Sequence, residues 1–102
     1  MKYVYLIQSL EEGYYKIGVS KHPQKRIEQL STGNSSKLKL IETYQTEFAD
    51  KIERTLQRRY SHLNKNGEWF DMSIVEEVKF KEECQKIEKT LKFLKENNNV
   101  FV

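Results

Sequence analysis

The chain has 102 residues, 32% charged, 37% apolar and 12% aromatic, with one Pro, one Cys and a formal charge of +3, which suffices for one compact domain and excludes a second. No apolar run approaches the ~20 residues that span a bilayer, and Met1-Lys2-Tyr3-Val4-Tyr5 does not read as a signal peptide, so a soluble, unsecreted protein without a membrane partner is expected. Cys84 alone excludes an intramolecular disulfide and a cysteine-based zinc site, and reads as a buried structural thiol.

Tyr3 to Gln8 is rich in β-formers and reads as a central strand buried on both faces. Ser9-Leu10-Glu11-Glu12-Gly13 is the turn of a hairpin whose second strand is Tyr14 to Ser20. Gly18, inside that strand, marks either a bulge or a close approach to the backbone. Ser20 is an N-cap candidate and Pro23 belongs in a first helical turn, which predicts a helix from Lys21 or His22 to Leu30, stopping at Ser31-Thr32-Gly33-Asn34. Its apolar side is thin: Ile27 and Leu30, with the stem of Lys25 or Gln24.

Leu38 to Tyr44 alternates as a third strand. A second helix follows from Phe48 or Ala49 to about Leu63, with Ile52, Leu56, Tyr60 and Leu63 on one stripe and Lys65-Asn66-Gly67 ending it. Glu68-Trp69-Phe70-Asp71-Met72 brings two large rings back to the core, a stacking platform for bases being their second reading. Ser73 or Asp71 caps a last helix from Ile74 to about Glu96, striped by Val75, Val78 or Phe80, Cys84, Ile87, Leu91 and Leu94. Asn97-Asn98-Asn99 breaks it ahead of the apolar tail Val100-Phe101-Val102. The order predicts an α+β domain with a small three-stranded antiparallel sheet flanked by helices over residues 1–73. Residues 74–102 are an extra C-terminal amphipathic helix and tail, packed on that domain or used for self-association as a homodimer.

The charge is unevenly placed. The last helix holds six Lys against six acids from Glu76 onward, so the whole excess lies before it. Lys16, Lys21, Lys25, Arg26, Lys37 and Lys39 face the single acid Glu28, and Lys51, Arg54, Arg58, Arg59 and Lys65 face the single acid Glu53. Two acid-poor stretches fit a polyanion such as nucleic acid, while a solvated helix face explains either one alone.

Tyr3-Val4-Tyr5, then Tyr15-Lys16-Ile17-Gly18-Val19-Ser20, Pro23 and Arg26, the helical Glu53 and the closing Glu68-Trp69-Phe70 resemble the GIY-YIG nuclease superfamily. The similarity spans residues 2–73 and is greatest to the phage-type branch, whose second triplet reads lysine-isoleucine-glycine. The resemblance implies two paired strands carrying the triplets and a Mg²⁺- or Mn²⁺-dependent endonuclease with one ion. It implies DNA as partner, with RNA left open, and the cytoplasm of a bacterial or phage-infected cell. It assigns Tyr5 to water activation, Arg26 to phosphate charge and Glu53 to the metal, and Lys16 would add a point charge toward the phosphate. Lys21, His22, Lys25, Arg58 and Arg59 would hold the backbone. The chain departs from the pattern at Lys16, where better-known members have tyrosine, with Tyr15 one step earlier on the opposite face. It departs again at Gln57, where the branch often has histidine, and the family's late asparagine has two candidates, Asn64 and Asn66. No separate recognition module is legible, so either weak binding or a targeting partner protein is expected.

The chemistry is coherent with these residue types. A helical glutamate is a hard ligand for Mg²⁺, which binds through one or two carboxylates and keeps several waters. An arginine fork suits a phosphate, a lysine acts as a point charge, and their field would help a tyrosine take a proton from water. Each residue also has a plainer reading: Tyr5 as a core ring, Glu53 as a surface ion-pairing residue, Arg26 and Lys16 as solvated cations, and His22 and His62 as surface residues. Tyr14 and Tyr15 stay open between core and site. The alternative function is a catalytically inactive nucleic-acid-binding or protein-interaction module on the same fold.

Overall fold

A computed structural model describes residues 1–32 and 37–97. Five strands and three helices follow in the order β1 (Lys2–Ser9), β2 (Tyr15–Ser20), α1 (Pro23–Thr32), β3 (Leu38–Thr46), α2 (Ala49–Arg59), β4 (Asn64–Asn66), β5 (Trp69–Phe70) and α3 (Ile74–Glu96), with a 3-10 turn at Ser61–Leu63. The α+β class is the one expected, but the sheet has five strands in the order β3-β1-β2-β5-β4 rather than three.

β1 sits between β2 and β3 and pairs antiparallel with both. Because side chains alternate along a strand, Val4 and Leu6 join the main core while Tyr5 and Ile7 join a second cluster on the other face. α2 and α3 contribute Ile52, Leu56, Phe80, Cys84 and Ile87 to the first face. α1 covers the second with Ile27 and Leu30, while Lys25 and Gln24 lie exposed. The sheet is thus a middle layer between α1 and the other two helices. In β3 a register shift leaves Ile41 between the partners of Leu6 and Ile7. That extra residue lets Leu38 and Leu40 face the α1 cluster while Tyr44 packs on the main core, which strict alternation among even-numbered positions would forbid.

Several local expectations are corrected. The second helix ends at Arg59, and Lys65-Asn66-Gly67 is not its terminator: Lys65 and Asn66 lie in β4 and Gly67 turns the chain at φ +58° into β5. Asn64 holds this tight hairpin by donating its side-chain amide to the Gly67 carbonyl at 2.8 Å. Ser20 Oγ accepts from the His22 N–H at 3.0 Å, ahead of a helix that starts at Pro23, so it shapes the entry turn instead of capping the helix. On α3, Phe80 is the buried residue, and Val75 and Val78 are exposed. Phe80, Cys84 and Ile87 of the stripe are thus packed into the chain's own core, the first of the two uses expected of this helix. Ser73 caps that helix in a reciprocal box with Glu76. Gly33 and Asn34, expected in the stop of α1, and the tail Val100-Phe101-Val102 lie outside the described residues.

α3 is also held to the sheet by polar contacts. The Tyr15 hydroxyl donates to Glu77 Oε1 at 2.5 Å, and Glu88 accepts from the hydroxyls of Tyr44, at 2.7 Å, and Thr46. Burial first, and then the facing carboxylates, push both Tyr15 and Tyr44 up to about 12. Tyr15 is thereby a core residue. Cys84 is buried, with its thiol pushed up to about 12 by burial and then by Glu42, Glu83 and Glu88. Among the described residues no helix is long and apolar enough to cross a membrane.

Candidate functional site

The site forms where β2 loses its outer neighbour. β5 pairs with β2 only at Tyr15 opposite Phe70, leaving the strand beyond it without a partner strand on that side. α2 lies along this edge, and Gln57 Nε2 donates to the Ile17 carbonyl at 3.2 Å, satisfying a group that a longer β5 would have taken. Glu53 stands one turn before Gln57 on the same helix face.

Gly18 is paired across the sheet with Tyr5. A Cβ on Gly18 would stand 2.3 Å from both Cζ and Oη of Tyr5. The β1–β2 register is regular here, so of the two sequence readings of Gly18 the close approach holds, and the group that approaches is the Tyr5 ring. Tyr5 is buried, at 3% exposure, on the α1 face. Lys16 pairs with Ile7 and so lies on the same face as Tyr5, one alternation from Gly18.

Lys16 is largely sheltered, with 13% of its side chain exposed, and its Nζ meets Glu68 Oε2 at 2.6 Å. That hydrogen bond and charge hold Glu68 below the usual carboxylate range against the opposing effect of burial, with Arg26 adding to the pull. Glu53 shifts the other way. Burial raises its pKa, the negative charges of Asp50 and Glu68 add to the rise, and Arg54 and Lys16 oppose it. Lys16, Arg26, Glu53 and Glu68 therefore share one electrostatic environment, drawn from β2, α1, α2 and the β4–β5 hairpin. In the sequence Glu68 is legible only as part of the closing Glu68-Trp69-Phe70, and Gln57 only as the residue in place of a histidine; the fold adds the contact of Glu68 with Lys16 and of Gln57 with the Ile17 carbonyl.

The other expected contacts are spread around this centre. Lys21, His22 and Lys25 line a shallow surface depression with Tyr3. Arg58 is exposed at the end of α2. Arg59 is drawn instead to α3, where its Nη1 meets Glu83 Oε2 at 2.6 Å. His62 is exposed. Among the described residues no three His, Cys, Asp or Glu gather as a closed metal cage.

Residues 2–95 match the model of a family described as the T5orf172 domain. The match runs through α1, the whole sheet and α3 nearly to its end. No curated protein and no solved structure matches the chain.

Proposed function

The chain belongs to the T5orf172 domain family, and from that premise we propose that it is a divalent-metal-dependent endonuclease acting on DNA phosphodiesters at the open edge of β2. The observation that carries this reading is the 2.6 Å ion pair of Lys16 with Glu68 beside that edge, with Arg26 acting electrostatically on Glu68 and both Lys16 and Glu68 acting on Glu53. Its resemblance to the GIY-YIG superfamily supports the same assignment.

The donors fit Mg²⁺ held in an open way. Glu53 is a hard carboxylate whose pKa is raised by burial and by the charges of Asp50 and Glu68, and a divalent cation beside it would offset that repulsion while keeping most of its waters. When bound, the ion supplies Lewis-acid polarisation of the phosphate. The chain's own residues do the rest. Arg26 offers a planar fork to phosphate oxygens, and Lys16 offers a point charge once the phosphate competes with Glu68 for it. The Tyr5 ring lies against Gly18, and as its phenolate Tyr5 would take the proton from the attacking water. The depression at Lys21, His22 and Lys25 and the exposed Arg58 hold the backbone on either side.

A non-catalytic nucleic-acid binder is the second reading, favoured by Gln57, whose side chain is engaged by backbone. Plasmid cleavage decides between them. With Mg²⁺ the protein is expected to nick or linearise plasmid, Glu53→Ala to abolish this, and Tyr5→Phe to slow it about a hundredfold or more. Cleavage that survives Glu53→Ala overturns the metal assignment. Binding without cleavage, weakening steeply as salt rises, establishes the binder.

A further inference from the structure

Between the β1–β2 turn and the β4–β5 hairpin lies a cavity of about 290 Å³ lined by Ser9, Glu12, Tyr14, Lys65, Asn66 and Trp69. We propose that it takes up a single unstacked nucleobase of a strand bound at the β2 edge, an inference that rests on the nucleic-acid reading above.

The first observation is Ser9. It is 3% exposed, and its Oγ has no hydrogen-bond partner among the described residues. Its backbone is fully used, the N–H donating to the Tyr14 carbonyl at 2.9 Å and the carbonyl accepting from the Gly13 N–H at 2.7 Å, so only the hydroxyl is unspent. A buried hydroxyl without a partner in a cavity wall offers one donor and an acceptor to the polar edge of a ligand.

The second observation is the character of the remaining wall. Trp69 and Tyr14 are aromatic, and Lys65 Nζ lies 5.9 Å from the centre of the Tyr14 ring. Rings accompanied by one cation are the means by which proteins hold bases of a single strand, because every base presents a π-face and is followed by a phosphate. Asn66 and Glu12 add amide and carboxylate groups that match base edges. The carboxylate of Glu12 disfavours a phosphate inside, which leaves the planar ring in the cavity and the phosphate outside by Lys65. The volume lies at the small end of ligand pockets, which begin at about 300 Å³.

The third observation is placement. Tyr5, Ile7 and Ser9 alternate onto one face of β1, so Ser9 lies about 13 Å along the strand from Tyr5 at ~3.3 Å per residue. That is roughly four nucleotide steps at 3.4 Å per strand step, so a strand held at the β2 edge reaches the cavity. The β4–β5 hairpin spans both places: Glu68 pairs with Lys16, and the adjoining Trp69 packs against the cluster of Tyr5 and Ile7 while lining the cavity.

Trp69 is the only tryptophan of the chain, so its emission reports on the cavity. The 102-residue protein is titrated, without divalent metal, with a short oligothymidylate and with an abasic oligonucleotide of the same length and charge. The base-bearing strand is expected to quench Trp69 and to bind about tenfold tighter than the abasic one. Tyr14→Ala is expected to bring that ratio close to one. Ser9→Ala is expected to lower it severalfold while leaving the fold at least as stable, since the hydroxyl it removes has no partner. Equal binding and equal quenching by the two strands overturn the base pocket and leave the nucleic-acid reading standing. Failure of both strands to bind at low salt overturns both.

Discussion

The Tyr5 ring and Gly18 lie in contact across the β1–β2 pair, so close that a side chain of even one carbon at Gly18 would stand 2.3 Å from Cζ and Oη of Tyr5. Neither residue is explained without the other. The glycine exists in a strand, where it is otherwise disfavoured, because a buried tyrosine occupies the space of its side chain.

Gly18→Ala is accordingly expected to destabilise the protein by about 1–3 kcal/mol through overpacking, and to lower cleavage by displacing Tyr5. Urea unfolding measures the first effect. In a Tyr5→Ala background the same glycine substitution should cost much less, because the ring it clashes with is gone. A double-mutant cycle showing additive effects would disprove the coupling.

The opposite shifts of Glu53 and Glu68 give a pH prediction. In the proposed site Glu53 would bind metal as a carboxylate, and burial with the charges of Asp50 and Glu68 raises its pKa above the ordinary value. Metal-dependent activity should therefore fall on acidification earlier than an ordinary glutamate would require. Asp50→Asn and Glu68→Gln each remove a negative neighbour, so each should move the acid limb of the pH–rate profile to lower pH. Glu68→Gln also releases Lys16 from its 2.6 Å partner and should raise affinity for DNA at low salt. An acid limb unmoved in both variants would separate Glu53 from these neighbours.

Gln57→Ala removes the donor to the Ile17 carbonyl at the open edge of β2. The expected loss is about 1 kcal/mol, which for a domain of this size lowers the melting temperature by roughly 4–8 °C. Calorimetry reads it directly, and an unchanged melting temperature would mean that water replaces the amide at no cost.

The seam between α3 and β3 should be sensitive to acid. Burial works to raise the pKa of Glu88, but hydrogen bonds from the hydroxyls of Thr46 and Tyr44, with Lys92 nearby, outweigh it and hold the carboxyl below its usual range. A carboxylate with a lowered folded-state pKa stabilises the protein above its unfolded-state value, and that stabilisation is lost as pH falls through the folded-state value. Glu88→Gln should thus cost about 1–2 kcal/mol at neutral pH and little at pH values below both. Parallel urea midpoints for the two proteins from neutral to acid pH test this, and a gap that does not close on acidification would assign the loss to packing.

Much of this architecture is written locally in the chain. The β-rich run Tyr3 to Gln8 with its short turn, the proline that opens α1, the stripe Ile52 and Leu56 on α2 continued by Tyr60 at its C-cap, and the Ser73 cap with Glu76 three residues on are consequences of backbone preference and periodicity. They need no knowledge of what packs on what. The candidates Tyr5, Arg26 and Glu53 come instead from the resemblance to the GIY-YIG superfamily, and Lys16 from its charge.

Tertiary structure decided the rest, wherever the deciding contact joins residues far apart in sequence. β4 and β5 are three and two residues long, too short to show a period, and exist because Phe70 pairs with Tyr15 and Asn64 staples the turn. Val78 and Phe80 fit the α3 stripe equally well as letters, and only the surface of the sheet buries Phe80 and leaves Val78 in solvent. The charge of +3 hinted at a polyanion by its distribution. It could not show that Lys16 is neutralised by Glu68, 52 residues away, or that Gly18 makes room for Tyr5. Composition and periodicity constrain what a segment is, whereas a site is a set of distances between segments, and those are set only when the core closes.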